Sequence, residues 1–258
     1  IREEFNRILL QDYPDTLQLL KEMRVLDTIA AGYTKLMNKE QNNPWHIYDV
    51  FTHTDVALNH TAGMPLEGKL AIIFHDVGKP ACEAFDADGI SHYYGHAQKS
   101  VELAKHWLKE LRYDNKTIHR VLRCIAYHDY NLTPKKSTLR RYLSKFDNQL
   151  PDALLALDVQ LADQLAKNPE LAANGVQLIR QCKELLLKMH AEEELLSLQT
   201  LAVNGRDMMD CGLRGKQIKT ALHMLLDYAM QDPSRNTKEQ LLEELKRNAE
   251  ACTLDSSD

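Results

Sequence analysis

A histidine-aspartate pair, His75-Asp76, ends an apolar run and is followed by Val, Gly, Lys and Pro. Neighbouring residues on a helix point about 100° apart, so both side chains can hold one ion only where the backbone turns away at a helix end. Gly78 and Pro80 predict that end, because Gly is expected in the left-handed conformation just past a helix and Pro cannot continue the helix. Imidazole nitrogen and carboxylate oxygen suit a divalent first-row metal, and Lys79 would add a fixed positive charge. The pair indicates a metal site, although a lone pair of this kind is more often a buried His beside a solvated Asp.

Further side chains that could bind a metal lie on neighbouring predicted helices. Pro44 is well placed to begin a helix that runs through Asp49 and His53. Since Asp49 lies one turn before His53, we expect its carboxylate to accept a hydrogen bond that fixes the tautomer of this imidazole. His128 continues the apolar stripe of a later helix, where a single histidine is more often a core residue than a ligand.

A late aspartate on the helix opened by Pro151 would complete a ligand set. Periodicity slightly favours Asp158, which shares an apolar stripe with Leu154 and Leu161, and it leaves Asp163 open. In chain order the candidate ligands are His53, His75, Asp76, His96, His128 and either Asp163 or Asp158.

Composition predicts the fold class. The chain has 258 residues, of which 44% are hydrophobic, enough for one large domain or two smaller ones. Only 10 Gly and 8 Pro interrupt long Leu-rich stretches that lack strand alternation, which predicts an all-α protein. The net charge of -5 excludes a general attraction to nucleic acid, so any RNA contact must be a local patch. One cluster is a candidate for RNA binding and an equally good candidate for a solvated helix face: Lys135, Lys136, Arg140, Arg141 and Lys145.

Cysteine usage and hydropathy predict a cytoplasmic location. The cysteines form no C-x-x-C pair and are odd in number, as expected of reduced thiols: Cys82, Cys124, Cys182, Cys211 and Cys252. No apolar run approaches the roughly 20 residues needed to cross a bilayer, and the first residues resemble no signal peptide. Because the sequence begins with Ile1 rather than Met, we expect it to be a piece of a longer chain.

Three regions follow from the distribution of these features. Residues 1–40 are a helical lead-in, residues 41–167 hold the candidate ligands, and residues 168–258 form a C-terminal helical region. The last region begins at Asn168-Pro169, where long Leu-, Glu- and Lys-rich helices start. Within it, Asn204 and Thr237 are predicted to cap two helices.

The order of the candidate ligands resembles the HD superfamily of metal-dependent phosphohydrolases. That resemblance implies an HD-domain helical core with a C-terminal helical extension. It also implies one metal held by an early His, the His75-Asp76 doublet and a late Asp. His96 and His128 correspond to the additional histidines that members of the superfamily use when they hold two metals.

Flanking residues are similar to the HD region of the bacterial tRNA nucleotidyltransferase family, which includes CCA-adding enzymes and poly(A) polymerases. The similarity is carried by residues 43–54, 75–80 and 94–96, and it extends to residues 1–10 and 201–207. The nucleotidyltransferase head of that family has no counterpart in this sequence, so we expect no nucleotide addition by this chain alone.

The resemblance also bears on the open choices among the ligands. It favours Asp163, in Leu161-Ala162-Asp163, and leaves Asp158 as the alternative. His92 is the corresponding alternative to His96. The remaining histidines are interpreted as structural or exposed: His46, His60, His106, His119, His190 and His223.

The implied function is that of a metal-dependent phosphohydrolase of the phosphatase or 2',3'-cyclic nucleotide phosphodiesterase type. One or two divalent ions (Mn, Ni, Co, Fe or Mg) would serve it, and mixed His and carboxylate ligation favours the transition metals. Asp76 and Lys79 are expected to be catalytic, with Lys79 adding positive charge near the leaving group. The substrate would be a nucleotide or RNA phosphate, with tRNA as a further partner. Two alternatives stay open: a non-catalytic tRNA-binding module and a free-standing HD nucleotide hydrolase.

Overall fold

The computed structural model describes residues 1–195 and 200–248. Within them it contains fifteen α-helices, one short 3-10 helix (Pro233–Arg235) and one antiparallel hairpin of β1 (Ala84–Phe85) and β2 (Ser91–His92). The helices are α1 (Arg2–Leu9), α2 (Thr16–Glu22), α3 (Leu26–Ile29), α4 (Tyr33–Met37), α5 (Val50–Asn59), α6 (Leu66–Phe74), α7 (Lys79–Cys82), α8 (His96–Glu110), α9 (Asn115–Ala126), α10 (Lys136–Ser144), α11 (Leu150–Leu165), α12 (Pro169–Leu195), α13 (Gly205–Asp210), α14 (Lys216–Gln231) and α15 (Lys238–Arg247). The predicted all-α class is confirmed.

The chain divides into two compact units, Ile1–Leu185 and Leu186–Asp258. All the candidate ligands lie in the first unit. The predicted division at residues 40 and 167 stays a prediction.

None of the helices in the described part of the chain is long and apolar enough to span a membrane. The described cysteines are free thiols, and Cys252 lies outside the described residues.

Helix α6 forms the centre of the first unit. Its residues 68–74 are buried on every face, as expected of a helix that is apolar all round, and α5, α9 and α11 pack against it. At its C-terminal end the Tyr33 hydroxyl donates to the Ile73 carbonyl at 2.8 Å, so this buried acceptor is satisfied. The residues that follow, His75 and Asp76, therefore emerge inside the core.

The chain after α6 differs from the predicted helix end. α6 ends at Phe74, and Gly78 has φ -82° and ψ -15°, so the predicted left-handed Gly78 is wrong. The glycine serves a close approach instead. A Cβ on Gly78 would lie 2.5 Å from the His96 carbonyl oxygen and 2.6 Å from the Ser100 amide nitrogen. The missing side chain thus lets the turn after α6 pack directly on the first turn of α8.

The predicted start of α5 at Pro44 is also wrong, because residues 44–49 form a loop. The Asn43 side chain accepts from the Trp45 amide at 2.9 Å and donates to the Ser91 carbonyl at 3.1 Å, which holds this loop against the hairpin. Helix α5 begins at Val50, where the Asp49 carboxylate accepts from the Thr52 amide at 2.6 Å. Asp49 is therefore an N-cap and does not orient His53.

The second unit has its own small core. Asn204 and Asp207 form a complete capping box at the start of α13, and Thr237 accepts from the Gln240 amide at 3.4 Å at the start of α15, as predicted. One cluster of buried hydrophobic residues in this unit consists of Leu201, Val203, Met208, Ala221, Leu225, Ala229, Leu241 and Leu245.

Candidate metal centre

Five separate segments bring the candidate ligands together. His53 lies on α5, the His75-Asp76 pair directly follows α6, His96 begins α8, His128 follows α9 by two residues and Asp163 lies on α11. Their ligand atoms form two groups that share one residue. The first group consists of His53, His75, Asp76 and Asp163, and the second consists of Asp76, His96 and His128.

The first group is completely buried. His53 Nε2 lies 2.9 Å from Asp163 Oδ1 and 3.6 Å from Asp76 Oδ2. His75 Nε2 lies 3.1 Å from Asp76 Oδ2 and 3.6 Å from Asp163 Oδ1. Two imidazole nitrogens and two carboxylate oxygens thus point at a common centre, a donor set that suits a divalent transition metal.

The second group adjoins the first through the other oxygen of Asp76. Asp76 Oδ1 lies 3.3 Å from His96 Nε2 and 3.8 Å from His128 Nε2, and the two Nε2 atoms are 3.1 Å apart. Because each oxygen of Asp76 faces a different group, this carboxylate is placed to be shared by two ions.

Local hydrogen bonds fix which nitrogen of each histidine faces the centre. The Nδ1 atoms of His75, His96 and His128 each donate to the carbonyl oxygen three residues earlier, at 2.6, 2.8 and 2.7 Å. In His53 the Nδ1 atom lies 3.3 Å from the Ala166 carbonyl. With Nδ1 protonated, each ring in its neutral form would present the Nε2 lone pair to the centre, which is the tautomer a metal requires.

Two lysines compensate the buried carboxylates. Lys79 Nζ lies 2.6 Å from Asp76 Oδ2 and donates to Gln41 Oε1 at 2.7 Å, while Lys167 Nζ lies 2.6 Å from Asp163 Oδ2. Lys167 follows Asp163 by one helical turn, a spacing that would have identified it in the sequence. Both ammonium groups therefore lie close enough to the centre to stabilise negative charge on a ligand bound there.

The electrostatics keep both carboxylates ionised. Burial would raise the pKa of Asp76, but the charges of His75 and Lys79 outweigh burial and hold this pKa well below its usual range. Burial would also raise the pKa of Asp163, but the charge of Lys167 and the contacts with His53 and His75 outweigh burial, and this pKa is well below its usual range. Burial also opposes protonation of His75, yet the two carboxylates raise the pKa of His75 to about 9. A metal would therefore displace a proton from His75 when it binds.

The remaining buried histidines are held neutral. Burial, with a smaller contribution from a protonated His75, lowers the pKa of His128 to about 4. Burial also lowers the pKa of His53, although Asp163 opposes the change. Neutral imidazole is the metal-binding form, so both rings are ready to act as ligands.

Unpaired polar atoms support a metal at this centre. His75 Nε2 and Asp76 Oδ1 are buried without a well-formed hydrogen bond to any described residue, whereas Asp76 Oδ2, which also lacks such a bond, is ion-paired with Lys79. Each such group costs about 1–3 kcal/mol, a cost that folded proteins rarely accept without a ligand. The residues present therefore fit a divalent ion.

A pocket of about 290 Å³ opens onto both groups. Its lining includes Asp76, Asp163, His96 and His128, and it also includes both lysines. His46, which the sequence indicated only as structural or exposed, lines it as well, with its ring centroid 5.1 Å from that of His53. Burial lowers the pKa of His46 to about 2, so this ring is neutral. Phosphoryl groups could thus reach the ligands beside two fixed positive charges.

The alternative ligands have other partners. Asp158 forms an ion pair with Lys183, on the side of α11 away from the centre. His92 Nε2 lies 2.8 Å from Asp86 Oδ2, outside both ligand groups, although its ring lines the pocket. The structure thus brings Asp163 and His96 to the centre rather than their alternatives.

The basic cluster lies apart from the centre. All five of its side chains are exposed on or beside α10, and none of them lines the pocket. A role of Lys135, Lys136, Arg140, Arg141 and Lys145 in RNA binding stays a prediction.

Comparisons with known proteins agree with this geometry. Residues 46–168 match the family model for the HD domain. A CC-adding tRNA nucleotidyltransferase from Thermus thermophilus is 29% identical over 248 residues, which cover 93% of this chain and 54% of that protein. The chain thus spans about half of the length of this relative. No solved structure gives a significant match. The predicted resemblance is confirmed as a similarity: residues 46–168 match the HD domain, and the chain is similar to about half of a CC-adding tRNA nucleotidyltransferase.

Proposed function

We propose that this chain is a metal-dependent phosphohydrolase of the phosphatase or 2',3'-cyclic nucleotide phosphodiesterase type. The observation that carries this proposal is the pair of adjoining ligand groups that share Asp76 at a pocket whose lining includes two lysines. A single structural ion would need one closed ligand group, whereas two groups that face a pocket suit catalysis.

The ligands would be His53, His75, Asp76 and Asp163 for one ion, and Asp76, His96 and His128 for a second. When bound, Mn, Ni, Co, Fe or Mg would supply Lewis acidity and an acidified water. Asp76 belongs to both ligand groups, so its loss would remove a ligand from each of them.

Lys79 would stabilise charge on the phosphoryl group. Its side chain is only 4% exposed, and Asp76 and Gln41 hold its ammonium group at the pocket wall. A positive charge fixed in a poorly solvated pocket stabilises a developing oxyanion more strongly than a charge in water would. Lys167, held in the same way by Asp163, would contribute on the other side.

The reaction would add water across one phosphorus-oxygen bond. For a 2',3'-cyclic phosphodiester, the water oxygen bonds to phosphorus, one ribose oxygen leaves, and that oxygen takes up a proton from the water. The product is a phosphate monoester beside a free hydroxyl group. For a monoester, the same step releases inorganic phosphate and an alcohol.

The substrate class would be a nucleotide or RNA phosphate, and tRNA would be the RNA partner. Support comes from the similarity to a nucleotidyltransferase whose name specifies tRNA, and from the exposed cations of the basic cluster. The nucleotidyltransferase activity of that longer relative is not proposed for this chain alone. A cytoplasmic location stays a prediction.

Hydrolysis of 2',3'-cyclic AMP and of a simple phosphate monoester, each with Mn, Ni, Co or Mg, tests the proposal. We expect Asp76→Ala to lower kcat/KM by about 100-fold or more, because Lewis-acid catalysis is worth several kcal/mol. Asp158→Ala is the matched control, since Asp158 lies on the same helix as Asp163 and outside the centre. Turnover by the native chain that does not exceed that of Asp76→Ala would refute the hydrolase function.

A further inference from the structure

Tyr94 presents an exposed aromatic ring at the pocket. Its side chain is 79% exposed, the highest value among the large apolar and aromatic side chains in the described part of the chain. It also lines the same pocket as the metal ligands and precedes His96 by two residues. A tyrosine whose ring remains in water beside a polar pocket offers a large flat surface to a ligand.

The ring of Tyr94 is supported from one side. It stacks on the His92 imidazole with an interplanar angle of 5° and a centroid distance of 5.5 Å, an offset parallel arrangement. His92 Nε2 in turn lies 2.8 Å from Asp86 Oδ2 across the hairpin. The pair is therefore a preformed surface rather than a freely rotating side chain.

Backbone contacts anchor the segment that carries this pair. The Ser91 amide donates to the Asn42 carbonyl at 2.8 Å, and the Asn42 side chain donates to the Gly89 carbonyl at 2.7 Å. On the other side, Gly95 has φ +78°, a conformation that favours glycine and that turns the chain from Tyr94 into α8. The position of Tyr94 relative to His96 is thus fixed on both sides.

We propose that Tyr94, supported by His92, is a base-stacking platform that makes the pocket prefer nucleoside phosphates over phosphate esters without a base. This inference rests on the proposed hydrolase function and names the feature of the substrate that lies beyond the phosphoryl group. The ligand groups and lysines face the phosphate, and the aromatic pair lies at the same pocket, where the base of a bound nucleotide can stack. Every base has a π face, so this platform accepts all four bases.

Two cyclic phosphates separate the base from the phosphate in the test. 2',3'-cyclic AMP and glycerol 1,2-cyclic phosphate contain the same five-membered phosphodiester ring, but only the first carries a base. We expect Tyr94→Ala to lower the ratio of kcat/KM for 2',3'-cyclic AMP to that for the glycerol compound by about tenfold, the effect of losing one base-aromatic stack. Tyr94→Phe retains the π face and should restore the ratio.

Phe85→Ala is the matched control, because Phe85 is a 62% exposed aromatic residue on the same hairpin that does not line the pocket. It should leave the substrate ratio unchanged. An equal loss of both activities in Tyr94→Ala, or an unchanged ratio, would overturn the stacking platform.

Equilibrium binding separates a failure of this inference from a failure of the hydrolase function. If the native chain hydrolyses neither compound, the hydrolase function fails, and calorimetric titration with adenosine 2'-monophosphate and with glycerol 2-phosphate tests the platform alone. A roughly tenfold weaker affinity of Tyr94→Ala for the adenosine compound only would support stacking. Equal affinities of the native chain for the two compounds, or no binding of the adenosine compound, would overturn it.

Discussion

Gly78 is the position where a single added methyl group should report most directly on the structure. In Gly78→Ala the new Cβ would lie 2.5 Å from the His96 carbonyl oxygen, 2.6 Å from the Ser100 amide nitrogen and 2.8 Å from Lys99 Cβ. Two of these atoms are backbone, so no side-chain rotation relieves the contact. Reaching even 3.0 Å from the carbonyl oxygen requires α8 to move by about 0.5 Å.

The expected destabilisation follows from two opposing effects. Overpacking of a closely packed site costs about 1–3 kcal/mol. Since Gly78 has an ordinary backbone conformation, alanine also reduces the entropy of the unfolded chain, which returns about 0.4–1 kcal/mol. The net loss is on the order of 1–2 kcal/mol, which lowers the Tm of a unit of this size by about 2–8 °C. Differential scanning calorimetry measures this shift.

Metal binding gives a second readout. Because the contacted carbonyl belongs to His96, movement of α8 should lengthen the 3.3 Å distance between His96 Nε2 and Asp76 Oδ1. The first ligand group has no member on α8. We therefore expect equilibrium dialysis with Co or Ni to find selective loss of the ion bound through His96 and His128, with the other ion retained.

Gly175→Ala is the matched control within the first unit. Its nearest neighbour would be the Gln164 side-chain oxygen at 2.9 Å, which lies at the end of a flexible chain and can rotate away. In the interior of α12 this substitution should be neutral or stabilising by about 0.5–1 kcal/mol. An unchanged Tm for Gly78→Ala would refute the close approach of α8. A lowered Tm with both ions equally retained would refute the link from Gly78 to His96.

Two further substitutions test the ligand choice and an ion pair between a buried lysine and an exposed aspartate. Asp163→Asn should weaken metal binding by at least about tenfold, whereas Asp158→Asn should leave it unchanged. Calorimetric metal titration that found an equal loss of affinity in the two variants would contradict this prediction. Lys69 is 2% exposed and pairs with Asp12, whose pKa it lowers, so the pair stabilises the fold above the usual pKa of 3.8 and less as the pH falls below it. Asp12→Asn should therefore cost on the order of 1 kcal/mol at pH 7, and the difference should shrink in acid; urea denaturation that shows no pH dependence would contradict this.

The sequence was sufficient to predict the helical class and the types of residue at the centre. Apolar stripes and the scarcity of Gly and Pro are local properties of the sequence. The helices that they predict are present in the fold. Periodicity slightly favoured Asp158 over Asp163, but it is a weak guide here because α11 is buried on several faces and has no single apolar stripe. The resemblance to a family made that choice, and the structure places Asp163 beside His53.

Features that depend on contacts between distant segments were missed. Gly78 carries the sequence signature of a helix end, yet its role is the approach of α8, which begins 18 residues later. Pro44 likewise carries a helix-start signature, but hydrogen bonds from Asn43 to the hairpin hold that segment as a loop. Local signals of this kind lose to tertiary contacts when the competing conformations differ by only about 1 kcal/mol.

The orientation of the histidines is the part of the centre that local sequence does control. His75, His96 and His128 each bond through Nδ1 to the carbonyl three residues earlier, so the orientation of each ring is set within its own segment. Packing then decides only the distances between the Nε2 atoms and the carboxylates. A helix end or turn that supplies such a carbonyl therefore prepares a ligand locally, and long-range packing need only bring prepared ligands together. Because ring orientation is set locally and ligand distances are set by long-range packing, the order of ligands along the chain can indicate a metal centre although their distances cannot be predicted.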